Sequence, residues 1–473
     1  MSDRPNVLFL MDDEHRSDVL GYAGDDVVRT PTLDRLAETG VVFENAYTPA
    51  PRCMPARQCL MTGQLPRTSG CESYGDDLDP QSMTFARRFA QYGYDTVAAG
   101  KLHHTGEDKA QGWTQLIGRS GGCNVERVEE ATADGPEPKR VKWSDAREVR
   151  RAGVGHPDAG WKSRIDEYRT RGACDFLVDR FLDPHYDREQ HDRPLMLKVS
   201  LTQPHYPYLT TQEKFEYYLD RVDPYVDEEA FDHDGLSRRR VHVRDDDERR
   251  VDDRPGAVSP RDVRRATAAY YGMIETVDEC FGRVLDALER VGEDLSEWIV
   301  VYTSDHGEML GQHGIWEKGH HFEASAGVPL VIRWPERFEP GTVEQNVSLC
   351  DLFATLCDLA DVPLPADHTL DSRSLVPLLE GDSERWNDEV VSAEDQRCMI
   401  KRGGLKYLHF PDDPAVLFDL DADPGETTNV VDDPEYSDAV ERFRARRAEL
   451  GYGSDAVADY EDAGYEPGVP TAN

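Results

Sequence analysis

Lysine is what this chain has little of. Of 54 basic residues in 473, ten are lysines, while Asp and Glu number 93 and leave a formal charge of −39. That balance excludes nucleic acid and anionic membrane surfaces as partners, since both are bound by clustered positive charge. The dispersed acid excess, with arginine favoured over lysine, reads as adaptation to high salt, where screening relieves self-repulsion. Long apolar runs are absent too: no segment approaches the ~18 uninterrupted apolar residues of a membrane span. The start, Met1-Ser2-Asp3-Arg4-Pro5, shows none of the basic, apolar and small-residue pattern of a secretory leader. Cysteines number nine, odd and scattered, which argues against a disulfide framework or a zinc module. These absences predict a cytoplasmic enzyme with free thiols. The length suffices for one large domain and a smaller one.

What is present is a set of strand-length apolar runs, each ending in residues that carry chemistry. Asn6–Met11 has the pattern of a strand buried on both faces and ends in Asp12-Asp13. Ligands gather at the carboxyl ends of strands in α/β sheets, and two carboxylates there suit a hard divalent cation. Asp95–Ala99 runs into Gly100-Lys101-Leu102-His103-His104, where extended backbone would turn Lys101 and His103 to one side. Leu195–Leu201 leads to Pro204-His205-Tyr206-Pro207, and Trp298–Thr303 to Ser304-Asp305-His306. A lysine can neutralise an anionic oxygen and a histidine can move a proton near neutral pH.

Between these runs lie helices. Pro31 opens one that Gly40 closes, Ser82–Tyr92 is a second, and Ser348–Ala360 a later one. Ser259-Pro260 starts a long helix with apolar residues at Tyr270, Met273, Ile274, Val277, Phe281, Val284, Leu285 and Leu288, and Gly292 stops it. Residues 119–190, with a helical patch at Ala173–Phe181, read as insertions that shape access, and the very polar 226–255 as a solvated loop or flap.

Cys53-Met54-Pro55-Ala56-Arg57, continued by Leu60-Met61 and Gly63, reads as a helix that starts at the cysteine with proline in its first turn. A cysteine placed there beside an arginine sits among positive charges that favour an anion. This C-x-P-x-R pattern resembles the signature of the formylglycine-dependent type I sulfatase family of the alkaline phosphatase superfamily. Five further segments resemble it in the same order, among them Gly-Lys-x-His at 100–103, Pro-His-x-Pro at 204–207, Asp305-His306, the 311–323 stretch with Lys318, and Leu417–Glu426.

The resemblance implies an alkaline-phosphatase-like α/β fold, with a large mixed, mostly parallel sheet sandwiched by helices over residues 1–375. A smaller C-terminal α+β subdomain would take 376–473, with short strands from Glu389, a helix Ser437–Leu450 and an acidic tail from Ser454. It implies hydrolysis of a sulfate monoester, with a maturation enzyme oxidising Cys53 to formylglycine and the aldehyde hydrate as nucleophile. Arg57 would hold that nucleophile, Lys101 and Lys318 would take charge on the ester oxygens, and His205 would protonate the leaving oxygen. His103 would take the proton whose loss expels sulfate.

Asp12, Asp13, Asp305, His306 and the residue-53 oxygen would surround one divalent cation. The resemblance favours calcium; oxygen ligands suit calcium or magnesium, and the imidazole in the set also admits manganese. The expected substrate is a sulfated small molecule or carbohydrate. Phosphonate monoester or phosphate diester hydrolysis on the same scaffold is the alternative, with a non-catalytic protein for sulfated ligands behind it. His320 and His321 either face the same cleft or lie on the surface.

Overall fold

Alternating burial in the first strand sets the architecture. In β1 (Val7–Asp13), Val7, Phe9 and Met11 pack into one apolar layer and Leu8 and Leu10 into another, so both faces of the sheet are covered. The computed structural model describes residues 4–118, 145–155, 160–182, 193–225, 233, 242–243 and 257–453. Most of the expected 226–255 flap, part of the 119–190 insertions and the tail from Ser454 lie outside the described residues.

The central sheet has eight strands. After β1 come α1 (Pro31–Glu38), β2 (Val41–Phe43), α2 (Cys53–Thr62), α3 (Phe85–Gln91), β3 (Asp95–Gly100) and β4 (Gln115–Ile117). Then follow α4 (Gly160–Leu182), β5 (Leu195–Pro204), α5 (Pro260–Arg290), β6 (Ile299–Ser304), β7 (Leu330–Arg333), β8 (Gly341–Val343) and α6 (Asp351–Leu359). The spatial order is β8-β2-β7-β6-β1-β5-β3-β4. β1 pairs in parallel with β5 and β6, β3 with β4 and β5, and β2 with β8, while β7 runs antiparallel to β2 and β6. The sheet is mixed and mostly parallel, as expected.

Helices α2, α3 and α6 cover one face through Leu60, Met61, Phe85, Phe89, Leu352 and Leu356. On the other face α1, α4 and α5 pack Leu33, Leu36, Leu177, Phe281 and Leu285 against Leu8 and Leu10. The long helix α5 is held at its start by a reciprocal capping box between Ser259 and Asp262. The expected 173–181 patch is the second half of a longer helix, α4, whose central turns carry charge rather than an apolar stripe.

Val376–Leu379 still packs into the first layer. A four-stranded antiparallel sheet then begins, with β9 (Glu389–Glu394), β10 (Arg397–Arg402), β11 (Leu405–His409) and β12 (Val416–Asp419) in that spatial order. Its one face packs Met399, Leu408 and Phe418 against Tyr47, Met309 and Phe322 of the main body. The closing helix α7 (Ser437–Glu449) covers the other face, with Phe443 stacked on Tyr407 at 5.6 Å.

Candidate active site

Four of the expected residues converge where β1, α2 and β6 end or begin. Arg52 is extended (φ −147°, ψ 142°), and the chain turns helical at Cys53, so the side chain sits at the mouth of α2. Ligand atoms of Asp13, Cys53, Asp305 and His306, all buried, lie within 4.8 Å of one another. His306 Nδ1 donates to the Gly307 carbonyl at 2.9 Å, which leaves its Nε2 lone pair facing Cys53 Sγ at 3.2 Å. Burial lowers this imidazole to about 3, so it stays neutral. Burial pushes Asp305 up, but Arg57, His306 and Lys101 outweigh it and hold the carboxyl well below its ordinary range. Asp13 Oδ1 is buried with no hydrogen bond. A neutral imidazole and two carboxylates, one of them with an unpartnered buried oxygen, fit one divalent cation.

Asp12, expected beside Asp13, lies outside this four-residue cluster while keeping one oxygen buried and without a hydrogen bond. Successive strand side chains point to opposite faces, and the register of β1 against β5 shifts between Met11 and Asp13. Asp12 Oδ2 meets His15 Nδ1 at 2.7 Å and accepts from the Tyr302 hydroxyl at 3.1 Å, its other oxygen making no hydrogen bond. The next residue, Glu14 (φ 72°), reaches the site instead, a placement that adjacency to Asp13 in the sequence did not reveal.

The cations are anchored by these acids. Lys101 bonds Asp13 Oδ2, and Lys318 Nζ donates to Glu14 Oε2 at 2.7 Å. Burial drives Lys101 well below the ordinary lysine range, whereas Cys53 and Glu14 outweigh burial at Lys318 and raise it. Arg57, expected to hold residue 53, acts on it through charge. Its Nε donates to Asp305 Oδ2 at 2.7 Å, and its terminal nitrogens to Ser200 Oγ and to the carbonyls of Lys101 and Asp12 at 2.9–3.0 Å. It ties four strands, β1, β3, β5 and β6, together beneath the site. As a thiol Cys53 is 1% exposed, and burial pushes it up to about 12.

His103 departs from the extended geometry. β3 ends at Gly100, and His103 adopts φ 60°, buried beside Lys101 and edge-on to Tyr74 at 6.5 Å. Burial and then Lys101 hold it well below 6.5, a neutral base. His205 follows β5, with Nδ1 3.4 Å from Glu14 Oε2, and burial and Lys162 hold it neutral too. Lys162, on α4, is a contact that sequence reasoning missed: its Nζ stands 2.6 Å from His205 Nδ1. Burial, then Lys318, lowers it to about 7. The signal was the scarcity already noted, since Lys101, Lys162, Lys198, Lys214, Lys401 and Lys406 are all buried. His320 and His321 are buried rather than on the surface, and the groups acting on His321 are Arg397, Lys406 and Ser392 of the C-terminal sheet.

Comparison with known proteins decides the family. The Sulfatase profile matches residues 5–362. The chain belongs to the sulfatase family. A second profile, N-sulphoglucosamine sulphohydrolase C-terminal, matches 311–451 of this sulfatase. An arylsulfatase of Clostridium perfringens (strain 13 / Type A) is 30% identical over 460 residues, covering 93% of each chain. A choline-sulfatase of Rhizobium meliloti (strain 1021) is 31% identical over 446 residues, covering 91% of this chain and 83% of its own. The phosphonate monoester hydrolase of Agrobacterium radiobacter superposes with a TM-score of 0.72 at 26% identity, covering 94% and 95%. This sulfatase is therefore an enzyme with the alkaline-phosphatase-like fold of its neighbours.

Proposed function

We propose that the enzyme hydrolyses a sulfate monoester to alcohol and inorganic sulfate, with residue 53, as formylglycine, supplying the nucleophilic oxygen. The observation that carries this is the setting of Cys53. Its Sγ lies 3.2 Å from His306 Nε2 and within 4.8 Å of ligand atoms of Asp13 and Asp305, and burial suppresses ionisation of the thiol, so an unmodified cysteine is a poor nucleophile at the centre of the converging groups.

A hydroxyl of the aldehyde hydrate would attack sulfur, and Lys101 and Lys318 would take the charge on the non-bridging oxygens. His205 would deliver a proton to the departing alcohol oxygen. His103, neutral and close to Lys101, would take the proton of the second hydroxyl, so that sulfate leaves and the aldehyde returns. Asp12, Asp13, Asp305, His306 and the residue-53 oxygen would hold one divalent cation, calcium first with magnesium or manganese as substitutes, and the buried oxygens of Asp12 and Asp13 that make no hydrogen bond support this set. Such a cation acidifies a bound hydroxyl and offsets negative charge on the ester.

The substrate is proposed as a sulfated small molecule or carbohydrate, in line with the choline-sulfatase relative. Formylglycine calls for a maturation enzyme in the host. A cytoplasmic location belongs to the same reading, as does adaptation to high salt, the latter supported by the charge of −39. The second reading, phosphonate monoester hydrolysis, draws on the Agrobacterium structure.

The mass of the residue-53 peptide from the native host is expected to match the aldehyde or its hydrate, and an intact thiol would overturn the nucleophile. Parallel kcat/KM values on aryl sulfate and aryl phosphonate esters then choose the ester, with sulfate expected to be faster.

A further inference from the structure

Helix α4 grips the end of β5 with three charged residues one turn apart. The Asp166 carboxylate accepts from the backbone N–H groups of Thr202, at 2.9 and 3.0 Å, and of Gln203, at 2.8 Å. Arg169 Nη1 donates to Asp166 Oδ1 at 3.0 Å and bonds Thr202 Oγ1. Lys162, four residues before Asp166, is on the same helix face and reaches past the strand to the next loop. There its Nζ lies 2.6 Å from His205 Nδ1 and 2.9 Å from the His205 carbonyl, and it also bonds the Tyr206 carbonyl. The pairing of α4 with β5 makes Lys162 a fixed support, not a surface amine that happens to touch the loop.

In its protonated form Lys162 carries three donors and no acceptor, so any nitrogen facing it must then accept. We infer that Lys162 fixes the tautomer of His205: Nδ1 accepts from the ammonium, and Nε2 carries the hydrogen presented to the leaving oxygen. What Nε2 meets rests on the sulfate-ester reading; the tautomer rests on the geometry of this chain alone.

A competitor stands beside Lys162. The Tyr206 carbonyl is 2.7 Å from His205 Nδ1 and would accept from Nδ1–H. Without Lys162 that contact selects the opposite tautomer, and Nε2 becomes a bare lone pair that repels the leaving oxygen. Glu14 Oε2, 3.4 Å from the same nitrogen, is engaged by Lys318 at 2.7 Å. When the S–O bond breaks, its electron pair stays on the alcohol oxygen, which takes the Nε2 proton. Nδ1 then takes one from Lys162, so the imidazole is neutral before and after and the ammonium ends as an amine.

The tautomer is read from histidine 15N shifts of the full chain, with the His205 signals assigned by their loss in His205→Asn. The wild type is expected to show a bare Nδ1 and a protonated Nε2, and Lys162→Met the reverse. A protonated Nδ1 in the wild type, or unchanged shifts in the variant, overturns the inference. Kinetics supply the second readout. Lys162→Met is expected to lose ~10²-fold or more in kcat/KM on an alkyl sulfate, whose oxygen needs the proton, and less than ~10-fold on 4-nitrophenyl sulfate. In a His205→Ala background it should lose nothing further. Equal losses on both esters, or additive losses in the double variant, would mean a merely structural lysine. A wild type that turns over no sulfate ester overturns the sulfate reading instead, and the 15N spectra still decide the tautomer.

Discussion

Arg57 is buried completely, and its charge is matched by Asp305 at 2.7 Å. Removing one member of a buried, hydrogen-bonded ion pair strands the other, a loss of about 3–5 kcal/mol. Arg57→Ala is therefore expected to lower the unfolding free energy by that amount, seen as a lower urea midpoint, as well as to abolish turnover, whereas Cys53→Ala should abolish turnover and leave the midpoint close to wild type. Equal midpoints for the two variants would remove Arg57 from its tying role. The Cys53 thiol gives a second expectation at this scale. With burial pushing it up to about 12, unmodified protein should resist iodoacetamide at residue 53 at neutral pH until denatured. Peptide mapping of native and unfolded samples checks this, and rapid native alkylation would contradict the burial.

At the scale of elements, α1 takes its N-terminal cap from another helix. Its own N-cap, Thr30, makes no side-chain capping bond, and Asp278 of α5 accepts instead from the N–H groups of Thr32, at 3.2 Å, and Leu33, at 2.8 Å. Burial raises Asp278 to about 6. The folded state thus keeps a proton that the unfolded chain releases near 3.8, and stability from this group is complete below pH 3.8 and lost as pH rises through 6. Asp278→Asn removes the titration. Relative to wild type it should gain about 2–3 kcal/mol between pH 4 and pH 7, read from paired denaturation curves. A constant difference would show that Asp278 does not titrate in this window.

Elements were also where the sequence was most and least legible. Strand ends stood out because fully apolar runs stop abruptly at Asp13, Gly100 and Ser304. The different surroundings of Asp12 and Asp13 did not, because they depend on the phase of side chains at a register shift, and two aspartates have the same composition in either phase. Lys162 was hidden for another reason. The α4 face that meets β5 near the site does so through Lys162, Asp166 and Arg169, so no apolar periodicity marked it as a packed surface. His103 was expected on extended backbone, and nothing in Lys-Leu-His signals φ 60°.

For the whole molecule, the formal charge of −39 dominates. Repulsion among dispersed carboxylates is screened within ~10 Å at about 0.1 M salt and within ~3 Å at about 1 M. Melting temperature should accordingly climb by several degrees as sodium chloride is raised over that range, while a flat or falling trend would reject the high-salt reading. No helix among the described residues is long and apolar enough to cross a membrane.

The burial of the lysines has one more consequence, for handling the protein. Among the described residues, Lys109 alone offers its amine on an exposed position. An amine-coupling reagent at limiting dose will find few handles, and a dye, bead or cross-linker attached at Lys109 would sit on a loop outside the cation cluster. Among the described residues, that leaves Lys109 as the natural point of attachment.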